Sequence, residues 1–259
     1  MASAAALFLC GGCGGGENRI VRLEWPAMGT VAAVQVRGAA SSADAAEIRD
    51  AARRAASGVE KLLNAHDPAS ELSRLAPLDD AAVLSSCNPL VRPCYEAAFA
   101  FSRETGGRFS PRWRGAGTLD LGAIAKGFAA DLAAEAAAKT AAAARCDGIL
   151  IDFGGNLKAA KGRWKAAIYG SSPQKTMVLE ENAAAATSAA YHRGGHIKDG
   201  RSGKTVARDE LSVTVLVQPG ARSATAADAL STVCFVLGRE AAAKLLSSSH
   251  PEAEALWLP

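Results

Sequence analysis

Between Thr118 and Asp131 the chain reads Thr-Leu-Asp-Leu-Gly-Ala-Ile-Ala-Lys-Gly-Phe-Ala-Ala-Asp, a carboxylate and a glycine turn leading straight into a long alanine-rich helix. The helix is expected to begin near Ala123, so that its first free backbone N–H groups and the positive end of its dipole point toward Gly122 and Asp120. Lys126 stands one turn in. Such an end can hold an anion, and a phosphate fits it well. The same residues also serve a capped helix that packs through Ile124 and Phe128 and binds nothing.

A second segment, Ala226-Ala227-Asp228-Ala229-Leu230-Ser231-Thr232-Val233, sets a carboxylate and a hydroxyl four residues apart. On a helix both face the same way, while Leu230, Val233 and Val236 line another face. Two hard oxygen donors on one face suit Mg²⁺, which takes one or two protein oxygens and shares its other positions between water and substrate phosphate. An Asp placed to favour the helix dipole and a Thr bonded back to its own helix satisfy the same spacing. Read as a ligand, Asp228 should face the surface and contribute little to the core.

The rest of the chain mixes helices and strands without repeats. Residues 31–37 alternate as a strand does, and 43–64 is amphipathic with Ile48, Ala52, Ala55, Val59 and Leu62 on one side. Pro89 is expected to open a helix that stops at Gly106-Gly107. Strands are expected over 148–153, 163–169, 176–179 and 211–218, then the Asp228 helix and a last helix from Arg239. The alternation is too irregular for a doubly wound parallel sheet, so the class is α+β.

With 259 residues the chain can bury a substantial core. Charged residues are 21% and the formal net charge is +3, which leaves no electrostatic footprint for nucleic acid. Residues 1–18 are a different kind of sequence: a short apolar run, Ala2 to Leu9, followed by Cys10-Gly-Gly-Cys13-Gly-Gly-Gly. This looks like an export leader joined to a flexible tether, too short to span a membrane and expected to add nothing to folding. The folded domain is then 19–259. Cys87, Cys94, Cys146 and Cys234 show no metal-ligand spacing.

The segments taken together resemble the ApbE-type FAD:protein FMN transferases. The resemblance runs through Ala27-Met-Gly-Thr30, Asp67-Pro-Ala-Ser-Glu-Leu-Ser-Arg74, Asp120 to Asp131, Ile151-Asp-Phe-Gly-Gly-Asn-Leu157, Ala186-Thr-Ser-Ala-Ala-Tyr191, Gly195-His-Ile-Lys-Asp199 and Asp228 to Gly238, in family order. It implies sheets and helices in two lobes with the flavin and metal site in the cleft between them. It implies Mg²⁺ held by the backbone carbonyl of Ala123 and the side chains of Asp228 and Thr232. Met28, Asp120, Lys126 and Ile197 match positions that contact FAD, His66 stands where an aromatic ring usually lies beside the flavin, and Gly154-Gly155 suits a backbone passing close to ligand.

His196 matches the family's H-I-x-D-P segment and would take the proton from a Thr or Ser hydroxyl of an acceptor protein, its pKa of about 6.5 suiting that task. The hydroxyl oxygen would attack the FMN-side phosphorus and AMP would leave. The family is often exported as lipoproteins, which implies the cell envelope on the periplasmic side and a lipid on a Cys that follows a small residue, Cys13 being the better match and Cys10 the poorer. Ser110 stands in place of an Asp, a few tens of residues are missing between Pro111 and Thr118, and Gly200 replaces the Pro after Asp199. A metal-dependent FAD pyrophosphatase and a non-catalytic flavin-binding lipoprotein are the alternatives.

Overall fold

The computed structural model describes residues 8–9, 19–168, 175–189, 197–208 and 212–258. Among these, in chain order, are β1 (Phe8–Leu9), β2 (Ile20–Ala27), β3 (Thr30–Arg37), α1 (Ser42–Leu63), α2 (Glu71–Leu75), α3 (Asp80–Ser86), α4 (Arg92–Glu104) and α5 (Ala125–Ala138). A 3₁₀ turn at Ala141–Arg145 leads to β4 (Gly148–Phe153), β5 (Leu157–Lys161), β6 (Trp164–Ala167), β7 (Thr176–Leu179), β8 (Ala184–Ala189) and β9 (Ser212–Val217). The chain closes with α6 (Ser223–Leu237), α7 (Arg239–Ser249) and β10 (Ala253–Leu258).

Seven strands form one antiparallel sheet in the order β10-β9-β8-β5-β4-β3-β2, and β1-β6-β7 form a small second sheet. The period of two along each strand splits the large sheet's side chains between two cores. Val34, Val36, Ile149, Ile151, Val213 and Val215 face the helices. Leu150, Leu157, Ala159 and Ala185 face the other way, onto Trp164, Ala166, Met177 and Leu179 of the small sheet. Every residue of β4 is buried, as expected of a strand covered on both faces. The class is α+β, as the irregular alternation of elements predicts.

Three local outcomes differ from the sequence reading. Helix α4 starts at Arg92, with Pro93 in its first turn where a missing N–H costs nothing, whereas Pro89 lies in the preceding turn. Helix α5 starts at Ala125 rather than Ala123, because the Leu121 carbonyl accepts from both Ile124 N (3.0 Å) and Ala125 N (2.8 Å) and tightens the entry. Phe8 and Leu9 pair with Ala167 and Ala166 of β6, a short strand within the residues expected to add nothing to folding. The other residues of 1–18 lie outside the described residues, Cys10 and Cys13 among them.

The strand pairings gather the turns that matter at one end of the large sheet. Ala27 pairs with Thr30 across the Met28-Gly29 turn. Phe153 pairs with Ala32 at the start of the 154–156 turn. Ala189, the last residue of β8, pairs with Ser212, the first of β9. Helix α6 runs alongside β8 toward this end, its Ser223 bonded to the Asn182 carbonyl before β8 and its Ser231 bonded to Ser188 near the end of β8.

Candidate active site

The site grows from the crossing of α5 and α6. Gly127 N donates to Asp228 Oδ2 (2.9 Å), and one turn further along α5 the Asp131 carboxylate accepts from Ala224 N (3.1 Å) and Thr225 N (2.8 Å), one turn back on α6. The helices are therefore antiparallel in a fixed register. Gly127 permits the approach: a Cβ there would lie 2.1 Å from the Ala224 carbonyl oxygen. Asp228 is 5% exposed, which corrects the expectation of a surface-facing side chain. Its Oδ1 lies 3.5 Å from Lys126 Nζ, and that ammonium also donates to the Gly122 carbonyl (3.0 Å).

Asp120 shapes the turn ahead of α5. Its Oδ1 accepts from Gly122 N (2.9 Å), while Oδ2 accepts from Trp113 Nε1 (3.1 Å) and pairs with Arg114 (3.3 Å). The 110–118 segment thus folds back onto the carboxylate, and the Arg114 guanidinium lies over the Trp113 ring. Residues 107–110, just ahead of this segment's turn, explain Gly200. A Cβ at that position would stand 2.4 Å from the Gly107 carbonyl oxygen, and Arg108 binds Asp199 at 2.8 Å. Neighbouring hydrogen bonds hold the Asp199 carboxyl below the usual range although its partial burial pushes the other way.

At the sheet end, Met28 and Gly29 both have positive φ (49° and 70°), a two-residue hairpin turn of the kind that matches strand twist. A methionine there is unusual, and Glu60 Oε1 holds it by accepting from Met28 N (2.7 Å). Gly154 and Gly155 also have positive φ (59° and 95°), as the turn requires. Asp152 Oδ1 accepts from Gly155 N (3.0 Å), and burial pushes this carboxyl up despite Arg22 nearby. Between β8 and α6, Ser188 Oγ meets Thr232 Oγ1 (3.2 Å) and Ser231 Oγ (2.9 Å).

A model of the ApbE family matches residues 112–257. The chain belongs to the ApbE family. The FAD:protein FMN transferase of Treponema pallidum (strain Nichols) is 33% identical over 54% of this chain and 43% of that protein, so the chain spans less than half the length of this curated relative. The solved Flavin Transferase ApbE from Vibrio cholerae matches with a TM-score of 0.70 at 20% identity, over 93% of both chains. The Pseudomonas stutzeri flavinyl transferase ApbE matches with a TM-score of 0.70 at 19% identity, over 93% of this chain and 91% of that one. At these identities the likeness establishes the fold.

Within this ApbE fold, hydrogen bonds and an ion pair join Asp120, Lys126 and Asp228, while Ser188 and Ser231 tie Thr232 to the same face of α6; Ala123 stands in the turn between Gly122 and α5. Gly127 N donates to Asp228 rather than to the Ala123 carbonyl four residues back, so that carbonyl accepts no backbone bond from the described residues. A carboxylate and a hydroxyl on one face of α6, with the Ala123 carbonyl in the neighbouring turn, are hard-oxygen donors of the kind that suits Mg²⁺. No group of three His, Cys, Asp or Glu converges among the described residues, so a cation here would complete its shell from water and phosphate. His66 is exposed just past the end of α1, and Ile197 is buried in the main core with its carbonyl accepting from Val206 N (3.0 Å). Neither is joined to the Asp228 face by a described hydrogen bond. His196 lies outside the described residues.

Sequence reasoning missed Ser188, Trp113, Arg114 and Gly127 as builders of the site. Gly127 had a readable signal, since glycine inside a run of alanines costs about 1 kcal/mol relative to alanine and marks close packing. The four described cysteines, Cys87, Cys94, Cys146 and Cys234, are free and buried, and burial pushes the Cys234 thiol up to about 12.

Proposed function

We propose that this chain transfers FMN from FAD to a Thr or Ser hydroxyl of an acceptor protein in a Mg²⁺-dependent reaction that releases AMP. Membership of the ApbE family supports the reading, as does the name of the Treponema pallidum relative, an FAD:protein FMN transferase. The observation that carries it is the joining of the α5 entry to the Asp228 face, with Lys126 Nζ 3.5 Å from Asp228 Oδ1 and Gly127 N on Oδ2.

Each residue then has a physical task. Lys126 and the positive end of α5 attract the pyrophosphate, and Asp120 fixes the turn that aims them. Ala123, Asp228 and Thr232 would hold Mg²⁺, which neutralises charge on the phosphate oxygens. His196 accepts the proton of the acceptor hydroxyl, whose oxygen forms the new bond to the FMN phosphorus as the bond to the AMP oxygen breaks. Met28, His66 and Ile197 contact the flavin or its ribityl and phosphate chain. The site serves an envelope protein anchored through a lipid on Cys13, so the acceptor is a protein of the same compartment.

The test compares AMP release from FAD by chromatography in the parent and in Asp228→Ala, across a Mg²⁺ titration with an acceptor domain present. The proposal expects Mg²⁺-dependent AMP release in the parent and none in the variant. Turnover by the variant that EDTA still abolishes would place the cation elsewhere.

A further inference from the structure

The interior between α5, α6 and β5 holds a charge pair that the reaction above does not use. Lys158, on β5, is 3% exposed and Asp131, on α5, is 2% exposed, and Lys158 Nζ lies 3.3 Å from Asp131 Oδ1. The same ammonium donates to the Asn182 carbonyl (2.9 Å), the Gly220 carbonyl (2.6 Å) and Ser223 Oγ (2.7 Å). The Asp131 carboxylate in turn accepts from Ala224 N, Thr225 N and Thr225 Oγ1 (2.6 Å).

Helix α6 has Arg222 at its cap position, with no side-chain cap bond of its own. A helix start needs acceptors for its first N–H groups, and here a neighbouring helix supplies them. Buried charges are costly unless paired and fully bonded, so the arrangement locks one geometry firmly. That geometry is the helix register. Asp131 grips the first turn of α6 four residues along α5 from Gly127, which grips Asp228 four residues along α6 from Ala224, a rise of about 6 Å on each helix.

We infer that Asp131 and Lys158 are positioning residues for the Asp228 face: Asp131, held by Lys158, caps α6 from α5 and so sets the register that brings Asp228 to Lys126 and Gly127. The inference rests on the cation reading of that face. The pair touches no substrate. Its effect passes through the α6 cap, and the cap, rather than the buried charge, is what the site needs.

Two charge-free double variants of the full chain separate these contributions. Asp131→Asn with Lys158→Met removes both charges but keeps a carbonyl oxygen to accept from α6. Asp131→Ala with Lys158→Met removes both charges and the cap. Binding is measured with Mn²⁺ alone, from the loss of the free-ion electron paramagnetic resonance signal, and the register from hydrogen exchange of the Gly127 amide. The parent is expected to bind Mn²⁺ and Asp228→Ala to bind at least tenfold more weakly.

On the positioning account, the Asn/Met variant keeps Mn²⁺ affinity and Gly127 protection within about twofold, whereas the Ala/Met variant loses about tenfold in both while circular dichroism shows it folded. Equal binding by the two double variants, with Asp228→Ala still impaired, would overturn the positioning role and leave the cation reading standing. Mn²⁺ binding that is unaffected by Asp228→Ala would remove the cation reading and this inference with it. Failure of the Ala/Met variant alone to fold is distinguished by Gly127 exchange in a single Thr225→Val variant, which deletes one cap bond and should lower protection measurably; unchanged protection there overturns the inference.

Discussion

Gly127→Ala sets two opposing effects against each other. In an isolated helix the substitution stabilises, since alanine is favoured over glycine by about 1 kcal/mol. Here the new Cβ would lie 2.1 Å from the Ala224 carbonyl oxygen, 2.8 Å from its carbon and 2.7 Å from Asp228 Cβ. Bringing the closest contact from 2.1 Å to an ordinary 3.4 Å parts the helices by about 1.3 Å. A similar stretch takes the 2.9 Å bond from Gly127 N to Asp228 past hydrogen-bonding distance. Overpacking costs about 1–3 kcal/mol and a lost bond to a charged acceptor about 1.5–3 kcal/mol. After the helical gain, the net loss is about 2–4 kcal/mol, with the two costs partly shared.

For a chain of this size that loss lowers Tm by about 5–15 °C, read by calorimetry or circular dichroism. Turnover should fall by about 10²-fold, because a shift of order 1 Å in Asp228 misplaces a group that must be held closely. An unchanged or raised Tm would show that helix propensity wins and that the close crossing of α5 and α6 is wrong.

Other outcomes follow from the same geometry. Lys126→Met should weaken FAD binding about tenfold at low salt, measured by flavin fluorescence, with the difference shrinking as salt screens the attraction. His196→Ala should bind FAD as the parent does while transfer falls by about 10²- to 10⁴-fold, and the parent's own transfer should decline below about pH 6, where the imidazole is protonated. Arg145 holds the Asp44 carboxyl below its ordinary range by hydrogen bonding, aided by Ser41. A carboxylate depressed in the folded state stabilises above its unfolded pKa of about 3.9 and loses that contribution as pH falls through its lower folded value. Arg145→Met should therefore lower Tm at pH 6, with the pH-dependent part of the difference shrinking as the pH falls below the unfolded value of about 3.9.

The sequence was legible where a pattern repeats within one element. The alternation of 31–37 and the apolar spacing of 43–64 located β3 and α1, and Asp228 with Thr232 falls on one helix as its spacing of four requires. It was less legible where tertiary contacts decide. Strands β5 and β8 are short and alanine-rich, and without their neighbours Leu157-Lys-Ala-Ala-Lys161 and Ala184-Ala-Ala-Thr-Ser-Ala189 carry little strand preference. Asp228 looked like a surface ligand because a helix face does not reveal what packs on it, and here α5 covers it. Ser188 and Thr232 are 44 residues apart, and only the pairing of β8 with β9 and α6 brings them together.

The central claim is that the acceptor's hydroxyl, and not water, receives the flavin phosphate. Intact-mass spectrometry of an acceptor domain after incubation with this chain, FAD and Mg²⁺ tests it most directly, with the modified residue located by fragmentation. The account predicts a mass gain equal to FMN less one water, on a single Thr or Ser, in step with AMP release and absent with Asp228→Ala. AMP and free FMN appearing while the acceptor keeps its unmodified mass would contradict it.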